Sequence, residues 1–208
     1  MRKKKFFFIV FEGVEGTGKS YQINKLFNSL RRLNYSIIKT REPGGSITAE
    51  KIRNLIFSKK ANNFDKVTDY YLMNAARNEH IKKTLLLAKK QKNIVICDRF
   101  TDSTYAYQVI GNKIDKTINL MNQRYILKNL KPNLTIILKS NFEVIRSRLK
   151  KRNKSNKFDN LKTIFYKRAQ KAFLSLKKNK TSYLVFDSSK NTKELEKKIL
   201  NKVLKKIN

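Results

Sequence analysis

A short glycine-rich segment constrains the fold of this chain more than any other feature. It fits the pattern G-x-x-x-x-G-K-[ST] at every fixed position, and its residues are Gly13, Val14, Glu15, Gly16, Thr17, Gly18, Lys19 and Ser20. An unbroken apolar run at residues 6–11 precedes it, and apolar residues at helical spacing follow over residues 21–33. Because loop N–H groups and a helix N-terminus both attract phosphate oxygens, this order predicts a binding loop for a nucleoside triphosphate.

Four polar side chains point to phosphate and magnesium chemistry. In this pattern Lys19 reaches the β- and γ-phosphates, and the Ser20 hydroxyl binds Mg²⁺. Asp98 follows the apolar residues 94–97, at a strand end where phosphate-loop proteins place an acidic magnesium residue. Arg99 comes next and suits bidentate contact with a phosphate, although a salt bridge between the two neighbours is the alternative. We therefore expect a nucleoside triphosphate and Mg²⁺ as ligands, with Ser20 and Asp98 on the metal.

Length and composition bound the architecture and the compartment. The 208 residues suffice for one α/β domain, and no Gly/Ser/Pro-rich linker divides them. The single cysteine, Cys97, forms no internal disulfide and suits a reducing compartment. The first residues imitate a signal peptide, but their apolar run is too short, and no segment approaches the roughly 18 apolar residues of a membrane span. We expect a cytoplasmic protein without a membrane partner.

The charge is strongly unbalanced. It is +34, from 49 lysine and arginine residues against 15 acidic ones, and such an excess normally raises nucleic-acid binding as a hypothesis. Here the lysines are scattered through every segment, often beside asparagine and isoleucine, whereas a nucleic-acid footprint would form a patch on one face. The pattern favours compositional drift, as an A+T-rich genome would produce, over a specific nucleic-acid partner.

Apolar, β-rich runs alternate with helical patterns along the whole chain. Strands are predicted at residues 6–11, 36–40, 93–98, 134–138 and 183–187. Helical spacing is present at residues 21–33, 48–57, 65–92, 115–130, 142–149, 161–176 and 192–207. The alternation predicts an α/β fold with three layers, in which helices cover both faces of a five-stranded parallel sheet. Ligands are then expected at the carboxyl ends of the strands.

Six segments, in order and at matching spacing, resemble bacterial thymidylate kinase, a family of P-loop nucleoside monophosphate kinases. The most specific are Arg-Glu-Pro-Gly-Gly at residues 41–45 and Asp-Arg-Phe-x-x-Ser-x-x-Ala-Tyr-Gln at residues 98–108. The others lie at residues 12–20, 49–53, 75–77 and 131–135. The resemblance covers nearly the whole chain. It implies one kinase domain over residues 1–208, phosphoryl transfer from ATP to dTMP in dTTP synthesis, and a homodimer.

The resemblance also implies a role for each matching residue. Glu12 would position the acceptor phosphate and the magnesium shell, Arg99 would grip the dTMP phosphate, and Arg77 would hydrogen-bond the thymine edge. Glu42 and Pro43 would shape the monophosphate pocket, with an unusual peptide geometry before Pro43. The other implied dTMP contacts are Met73, Ser103 and Thr104 at the base, and Tyr107 and Gln108 at the sugar.

Phosphoryl transfer also needs a cation that reaches the transferred group. Val14, Glu15 and Thr17 of the loop are not basic, whereas the resemblance places a mobile lid over ATP at about residues 148–160, which are very basic. The candidate catalytic cations there are Arg148, Arg152 and Lys157. Lys157 replaces a usual arginine and keeps the charge without the bidentate fork. A solvated basic helix face is the alternative interpretation of this segment.

Other departures from the family leave alternatives open. Met73 stands where a phenylalanine usually stacks on thymine, which leaves dUMP open as a second substrate. Lys139 stands where an aspartate is common, and the sequence offers no role for it. His80 and Cys97 are interpreted as structural. The alternative functions are another nucleoside monophosphate kinase, a nucleic-acid-binding P-loop ATPase, and an enzyme that binds nucleotides but turns over poorly.

Overall fold

Five parallel strands form one sheet in the computed structural model, which describes residues 5–58, 64–151, 163–177, 180–190 and 192–207. The strands are β1 (Phe7–Glu12), β2 (Ile37–Arg41), β3 (Ile94–Asp98), β4 (Leu134–Lys139) and β5 (Tyr183–Asp187). Their spatial order is β2-β3-β1-β4-β5, and every pairing is parallel. The predicted five-stranded parallel sheet is confirmed, and β1 lies at its centre.

Helices cover both faces of this sheet, as predicted. One face packs against α1 (Lys19–Arg32) and α9 (Thr192–Ile207). The other face packs against the π-helical turn Ile81–Leu85 with α4 (Leu86–Lys90), and against α8 (Thr163–Leu176). The remaining helices are α2 (Ile47–Phe57), α3 (Lys66–His80), α5 (Thr101–Thr104), α6 (Lys116–Leu127) and α7 (Phe142–Lys150).

The central position of β1 explains its unbroken apolar sequence. Phe7, Ile9 and Phe11 pack toward α1 and α9, whereas Phe8 and Val10 pack into the core of the opposite face. Successive side chains of a strand point to opposite faces, so a strand covered on both sides has no polar position. The first charged residue of β1 is its last, and the phosphate loop follows at the carboxyl edge of the sheet.

Two aspartates that the periodicity placed inside helices lie just before them. The Asp65 carboxylate accepts hydrogen bonds from the N–H groups of Val67 and Thr68 and caps α3. Asp115 caps α6 in the same way. Short acidic side chains are favoured at this position because they satisfy N–H groups that have no partner within the helix. The expected helix at residues 65–92 also contains the π-helical turn Ile81–Leu85.

The helical segment after β3 was not predicted from the sequence. It comprises α5 and a π-helical continuation, Tyr105–Gly111. Four consecutive residues in it, 106–109, are buried. The segment therefore lacks the regular alternation of buried and exposed positions that identifies an amphipathic helix in a sequence. This segment carries most of the motif at residues 98–108, and it therefore mounts those side chains on a helix at the carboxyl edge of the sheet.

The predicted lid lies mostly beyond the part of the chain that the structure describes. Of the lid, the structure describes the last turn of α7, which ends at Lys150, and the following Lys151, whereas Arg152 and Lys157 lie outside the described residues. Among the helices described, none combines the length and the apolar character that crossing a membrane requires.

Two glycines of the phosphate loop are required for different reasons. A Cβ atom at Gly13, where φ is +137°, would lie 2.3 Å from the carbonyl oxygen of Leu138 in β4. At Gly18 φ is +81°, and an added Cβ would meet its nearest atom, Nη1 of Arg148, at an ordinary 3.9 Å. Gly13 is therefore needed for the close approach of β4, whereas Gly18 is needed only for its backbone conformation.

This difference predicts unequal effects of two alanine substitutions. Gly18→Ala should lower the free energy of unfolding by about 1–2 kcal/mol, the usual cost of a left-handed alanine. Gly13→Ala should cost more, because the end of β4 must also shift. Urea denaturation of the two variants measures the difference in free energy of unfolding. Equal stabilities would contradict the close contact between Gly13 and the end of β4.

Candidate active site

A cavity of about 430 Å³ opens where the loops after β1, β2 and β3 meet α2, α3, α5 and α7. It lies at the carboxyl edge of the sheet, where ligands of parallel α/β sheets bind. Most of the predicted site residues line it, namely Glu15, Gly16, Gly18, Lys19, Ser20, Glu42, Pro43, Met73, Arg77, Asp98, Arg99, Ser103, Thr104, Tyr107, Gln108 and Arg148.

Four predicted residues are near the cavity without lining it. Gly13, Val14 and Thr17 form the turn of the phosphate loop, in which Thr17 Oγ1 donates to the carbonyl oxygen of Val14 at 2.7 Å. Glu12 is fully buried. Their contribution is therefore to the shape of the loop and its surroundings.

Lys19 folds back over its own loop. Its Nζ donates to the carbonyl oxygens of Gly13, at 2.8 Å, and Val14, at 3.0 Å. Burial lowers the pKa of Lys19 to about 8, with a further contribution from Arg99, although nearby carboxylates oppose the shift. An anionic ligand in the loop would favour the charged ammonium, so phosphate binding is linked to proton uptake by Lys19.

Ser20 and Asp98 meet, as the metal prediction requires. Ser20 Oγ donates to Asp98 Oδ2 at 3.1 Å, while Asp98 Oδ1 is buried without a partner among the described residues. A buried carboxylate oxygen is costly unless a cation or water completes it. Mg²⁺ usually takes one or two protein oxygens and completes its shell with phosphates and waters, so the pair fits this ion. The described residues contain no group of three or more His, Cys, Asp or Glu that could hold a metal.

Arg99 adopts a left-handed backbone conformation and lines the cavity. Its φ is +73°, which is uncommon for a residue other than glycine. Two hydrogen bonds hold this turn: Cys97 Sγ donates to the Arg99 carbonyl oxygen, and the Arg99 N–H donates to the Phe11 carbonyl oxygen. The Arg99 guanidinium pairs with Glu15 Oε1 at 2.6 Å. Arg99 therefore forms its ion pair with a residue of the phosphate loop. This contact argues against the alternative interpretation, a salt bridge between Arg99 and its neighbour Asp98.

Glu15 connects this arginine to the helix after β3. Its Oε2 accepts a hydrogen bond from the Tyr107 hydroxyl at 2.5 Å, and the Arg99 guanidinium lies over the Tyr107 ring at 5.1 Å from the centroid. Arg99 Nη1 also donates to Ser103 Oγ at 3.0 Å. The sequence predicted Glu15 only as a loop residue, because nothing in the sequence shows a side-chain contact across 84 positions.

Glu12 anchors the same helix from below the surface. Its Oε1 accepts from the N–H groups of Phe100, at 2.8 Å, and Ser103, at 3.2 Å, and its Oε2 accepts from Ser103 Oγ at 2.6 Å. Burial, with the nearby Asp102 carboxyl, raises the pKa of Glu12 to about 8. The structure does not bring Glu12 to the cavity, so any effect on a bound phosphate passes through Ser103 and Arg99.

Arg77 lies in a buried network at the α3 side of the cavity. Its Nε donates to Glu42 Oε2 at 2.7 Å, and its Nη2 donates to the Phe100 carbonyl oxygen and to Thr104 Oγ1. Although burial disfavours the carboxylate, Arg77 and His80 hold the pKa of Glu42 below its ordinary value. The peptide bond from Glu42 to Pro43 is cis, which confirms the unusual geometry predicted there.

Two arginines of the cavity were missing from the predicted site. Arg41 pairs with Glu50 at 2.8 Å. Arg53 Nη1 donates to the Pro43 carbonyl oxygen at 2.7 Å, and its guanidinium lies 4.6 Å from the centroid of the Phe57 ring. Both belong to matched segments of the sequence, which was the available signal, but periodicity alone does not tell which helix face meets the cavity.

Arg148 bridges two loops over the cavity. Its Nη1 donates to the Gly16 carbonyl oxygen at 3.2 Å, and its Nη2 donates to the Ser188 carbonyl oxygen, after β5, at 2.8 Å. Lys139, for which the sequence offered no role, pairs with Asp187 at 3.6 Å where β4 and β5 end. That pair is about half exposed, and such pairs contribute little to stability.

Comparisons with known proteins agree with this geometry. The family described as thymidylate kinase matches residues 11–199. The chain is 35% identical to the thymidylate kinase of Mycoplasma capricolum over 203 residues, covering 96% of this chain and 95% of that one. It is also 35% identical to the thymidylate kinase of Wolbachia pipientis wMel, over 94% of this chain and 99% of that one. The crystal structure of thymidylate kinase from Ehrlichia chaffeensis superposes with a TM-score of 0.77 at 31% identity, covering 97% and 99% of the two chains.

The buried position of Glu12 predicts a dependence of stability on pH. Its pKa in the folded protein, about 8, exceeds the ordinary value of 4.5, so between these values the folded state holds a proton that the unfolded state has lost. Stability should therefore fall as pH rises through this window, by at most roughly 1.4 kcal/mol per pH unit from this group. Glu12→Gln mimics the protonated acid and should remove this slope. Urea denaturation from pH 5 to pH 8 compares the two proteins, and parallel curves would contradict the prediction.

Proposed function

The chain belongs to the thymidylate kinase family and phosphorylates dTMP to dTDP with ATP, and we propose that the described cavity holds both nucleotides, with their phosphates adjoining between the phosphate loop and Arg99. The observation that carries this proposal is the ion pair between Glu15 and Arg99, which places an arginine beside the loop within one cavity. The dTDP formed supports dTTP synthesis for DNA replication.

The phosphate loop forms the ATP side of the proposed site. Backbone N–H groups of residues 13–20 surround the phosphates, and Lys19 leaves its loop carbonyls to reach the β- and γ-phosphates. Ser20 and Asp98 would hold Mg²⁺, which would neutralise charge on the phosphate oxygens. Asp98 Oδ1, which is buried without a hydrogen-bond partner in the described part of the chain, supports this assignment.

Arg99 and Arg53 form the site of the dTMP phosphate. The Arg99 guanidinium pairs with the Glu15 carboxylate of the phosphate loop, and its Nη1 donates to Ser103 Oγ, so the group is held at the edge of the loop. Arg53 lines the same cavity, and among the described residues its Nη1 donates to the Pro43 carbonyl oxygen. Two guanidinium groups suit a phosphate dianion because each can donate two parallel hydrogen bonds.

The base and the sugar of dTMP occupy the α3 side of the cavity. Arg77 and Thr104 face the thymine edge, Met73 packs on the ring, and Gln108 lies nearby. Tyr107 lies under the sugar and disfavours a 2′-hydroxyl, with its own hydroxyl held by Glu15. Thymine is thus recognised by groups that other elements already hold in place.

We propose one kinase domain over residues 1–208, with a lid at about residues 148–160, of which the structure describes residues 148–151. Arg148 supplies one lid cation, and its contact with the Gly16 carbonyl oxygen supports this assignment. Arg152 and Lys157 are the other candidates. Little covalent chemistry is required, because phosphoryl transfer depends on aligning the phosphates and neutralising the charge that spreads over them.

We also propose that the enzyme is a cytoplasmic homodimer. Large apolar side chains are exposed on three helices packed in sequence, α2, α3 and α6, and they include Ile47, Val67, Tyr71, Met121 and Tyr125. An exposed apolar face of this kind is typical of a surface that another protein copy covers. The free, buried Cys97 thiol suits a reducing compartment.

Substitution of Arg99 and Lys19 should separate the two nucleotide sites. Arg99→Ala should remove most dTMP binding and weaken MgATP binding less, because the lost donors serve the acceptor phosphate, whereas the loop is disturbed only through the unpaired Glu15. Lys19→Met should give the opposite pattern. Isothermal titration of each nucleotide measures both, and equal loss of dTMP and ATP binding in Arg99→Ala would refute the assigned role.

Two arginines of α7 provide a matched test of the lid. Arg148→Ala should lower kcat by about 10-fold or more, because a cation near the transferred phosphoryl group is worth up to about 10³–10⁵ in rate. Arg146→Ala, on the same helix, should change kcat by less than about twofold, because Arg146 is exposed and donates to Thr163. Steady-state kinetics compares them, and an unchanged kcat in Arg148→Ala would assign the lid cation to Arg152 or Lys157.

A further inference from the structure

His80 is completely buried at the end of α3 and does not line the cavity, yet both of its ring nitrogens have partners. We propose that His80 is a positioning residue for base recognition, which fixes the Glu42 carboxylate so that Glu42 in turn fixes the Arg77 guanidinium at the cavity. This inference rests on the proposed function, in which Arg77 contacts thymine.

The contacts form a continuous chain from β2 to the cavity. Thr40 Oγ1 lies 2.8 Å from His80 Nε2, and His80 Nδ1 lies 2.9 Å from Glu42 Oε1. Glu42 Oε2 accepts from Arg77 Nε at 2.7 Å. One oxygen of the Glu42 carboxylate thus contacts the histidine and the other contacts the arginine. A rotation of this carboxylate would disturb both contacts.

The chemistry of Glu42 determines the direction of these bonds. Arg77 and His80 keep the pKa of Glu42 low despite its burial, so the carboxylate only accepts hydrogen bonds. His80 Nδ1 therefore carries a hydrogen and donates a hydrogen bond to Glu42 Oε1. The Thr40 hydroxyl can either donate to Nε2 or accept from it, and this contact fixes the ring plane.

The consequence of this chain is the orientation of Arg77. A guanidinium has five N–H donors. Among the described residues, Nε donates to Glu42, Nη1 to Asn74 Oδ1, and Nη2 to both Phe100 and Thr104. One Nη1 hydrogen is left without a partner in the described part of the chain, and Arg77 lines the cavity. By fixing the orientation of the Arg77 guanidinium, Glu42 keeps this Nη1 hydrogen available to a ligand.

The ring also shapes the loop that contains Glu42. A Cβ atom added to Gly45, at φ +86°, would lie 2.6 Å from His80 Cδ2 and 2.7 Å from Nε2, so the loop rests directly on the imidazole. Thr84, in the π-helical turn that begins after His80, donates to the Gly45 carbonyl oxygen at 2.6 Å. An apolar residue of similar size at position 80 would preserve the packing of the loop but would leave Glu42 Oε1 without the hydrogen bond from His80. The Glu42 carboxylate could then rotate, and Arg77 would lose its fixed orientation.

Three substitutions separate hydrogen bonding from packing. His80→Asn keeps a donor close to the position of Nδ1, His80→Gln keeps a polar atom close to Nε2, and His80→Leu keeps neither. The readouts are KM for dTMP, KM for MgATP, kcat, and the affinity for thymidine, which has the base but no phosphate. Thermal unfolding monitors folding, and if His80→Leu does not fold, the asparagine and glutamine pair carries the test.

We expect His80→Gln and His80→Leu to raise the KM for dTMP and the thymidine dissociation constant by about 10-fold, as for loss of a hydrogen bond to a charged group. The KM for MgATP and kcat at saturating dTMP should change by less than about threefold, and His80→Asn should restore most of the thymidine affinity. Equal effects of asparagine and glutamine would show a packing role and overturn the inference. An unchanged thymidine affinity in all three variants would also overturn it, while a wild-type protein that binds neither dTMP nor thymidine would refute the proposed function itself.

Discussion

The ion pair between Arg99 and Glu15 is the interaction on which the rest of the site depends. β1 and β3 are parallel neighbours, so the loops that follow them emerge side by side, and Glu15 of one loop meets Arg99 of the other at 2.6 Å. Removing one partner of a buried pair leaves an uncompensated charge, which is far costlier than losing both partners. The pair therefore sets the separation between the phosphate loop and the helix that carries Ser103 and Tyr107.

Other cations of the cavity repeat this arrangement. Arg77 is held by Glu42, and Arg41 is held by Glu50. Each carboxylate takes part of a guanidinium fork and fixes the direction of the remaining donors. Because these groups are oriented before any ligand arrives, little reorganisation is needed when phosphate charge moves between the nucleotides. Pairing with carboxylates also explains how a partly buried site tolerates several arginines in a chain of net charge +34.

The sequence predicted the architecture and most of the residues around the cavity, but few of their mutual contacts. Unbroken apolar runs identified β1 and the first four residues of β3, because a strand covered on both faces is almost entirely apolar, whereas the edge strand β2 was identified by shorter apolar runs beside a turn-rich loop. The helix after β3 was missed, since its π-helical turn buries consecutive residues. Glu12 was expected at the acceptor phosphate and instead holds Phe100 and Ser103, and Arg53 was not expected at all. These differences arise from pairings between distant segments, which local periodicity does not encode.

The proposed reaction is tested most directly by measuring how much ADP the purified protein releases from MgATP with different acceptors. The salt concentration is kept fixed and moderate. The acceptors are dTMP, dUMP, dGMP, AMP, single-stranded DNA and none. We predict that ADP release depends on dTMP. A weaker release with dUMP would measure how well Met73 discriminates thymine from uracil. ADP release that needs no monophosphate, or that DNA stimulates, would contradict the proposal that this cavity aligns ATP with dTMP.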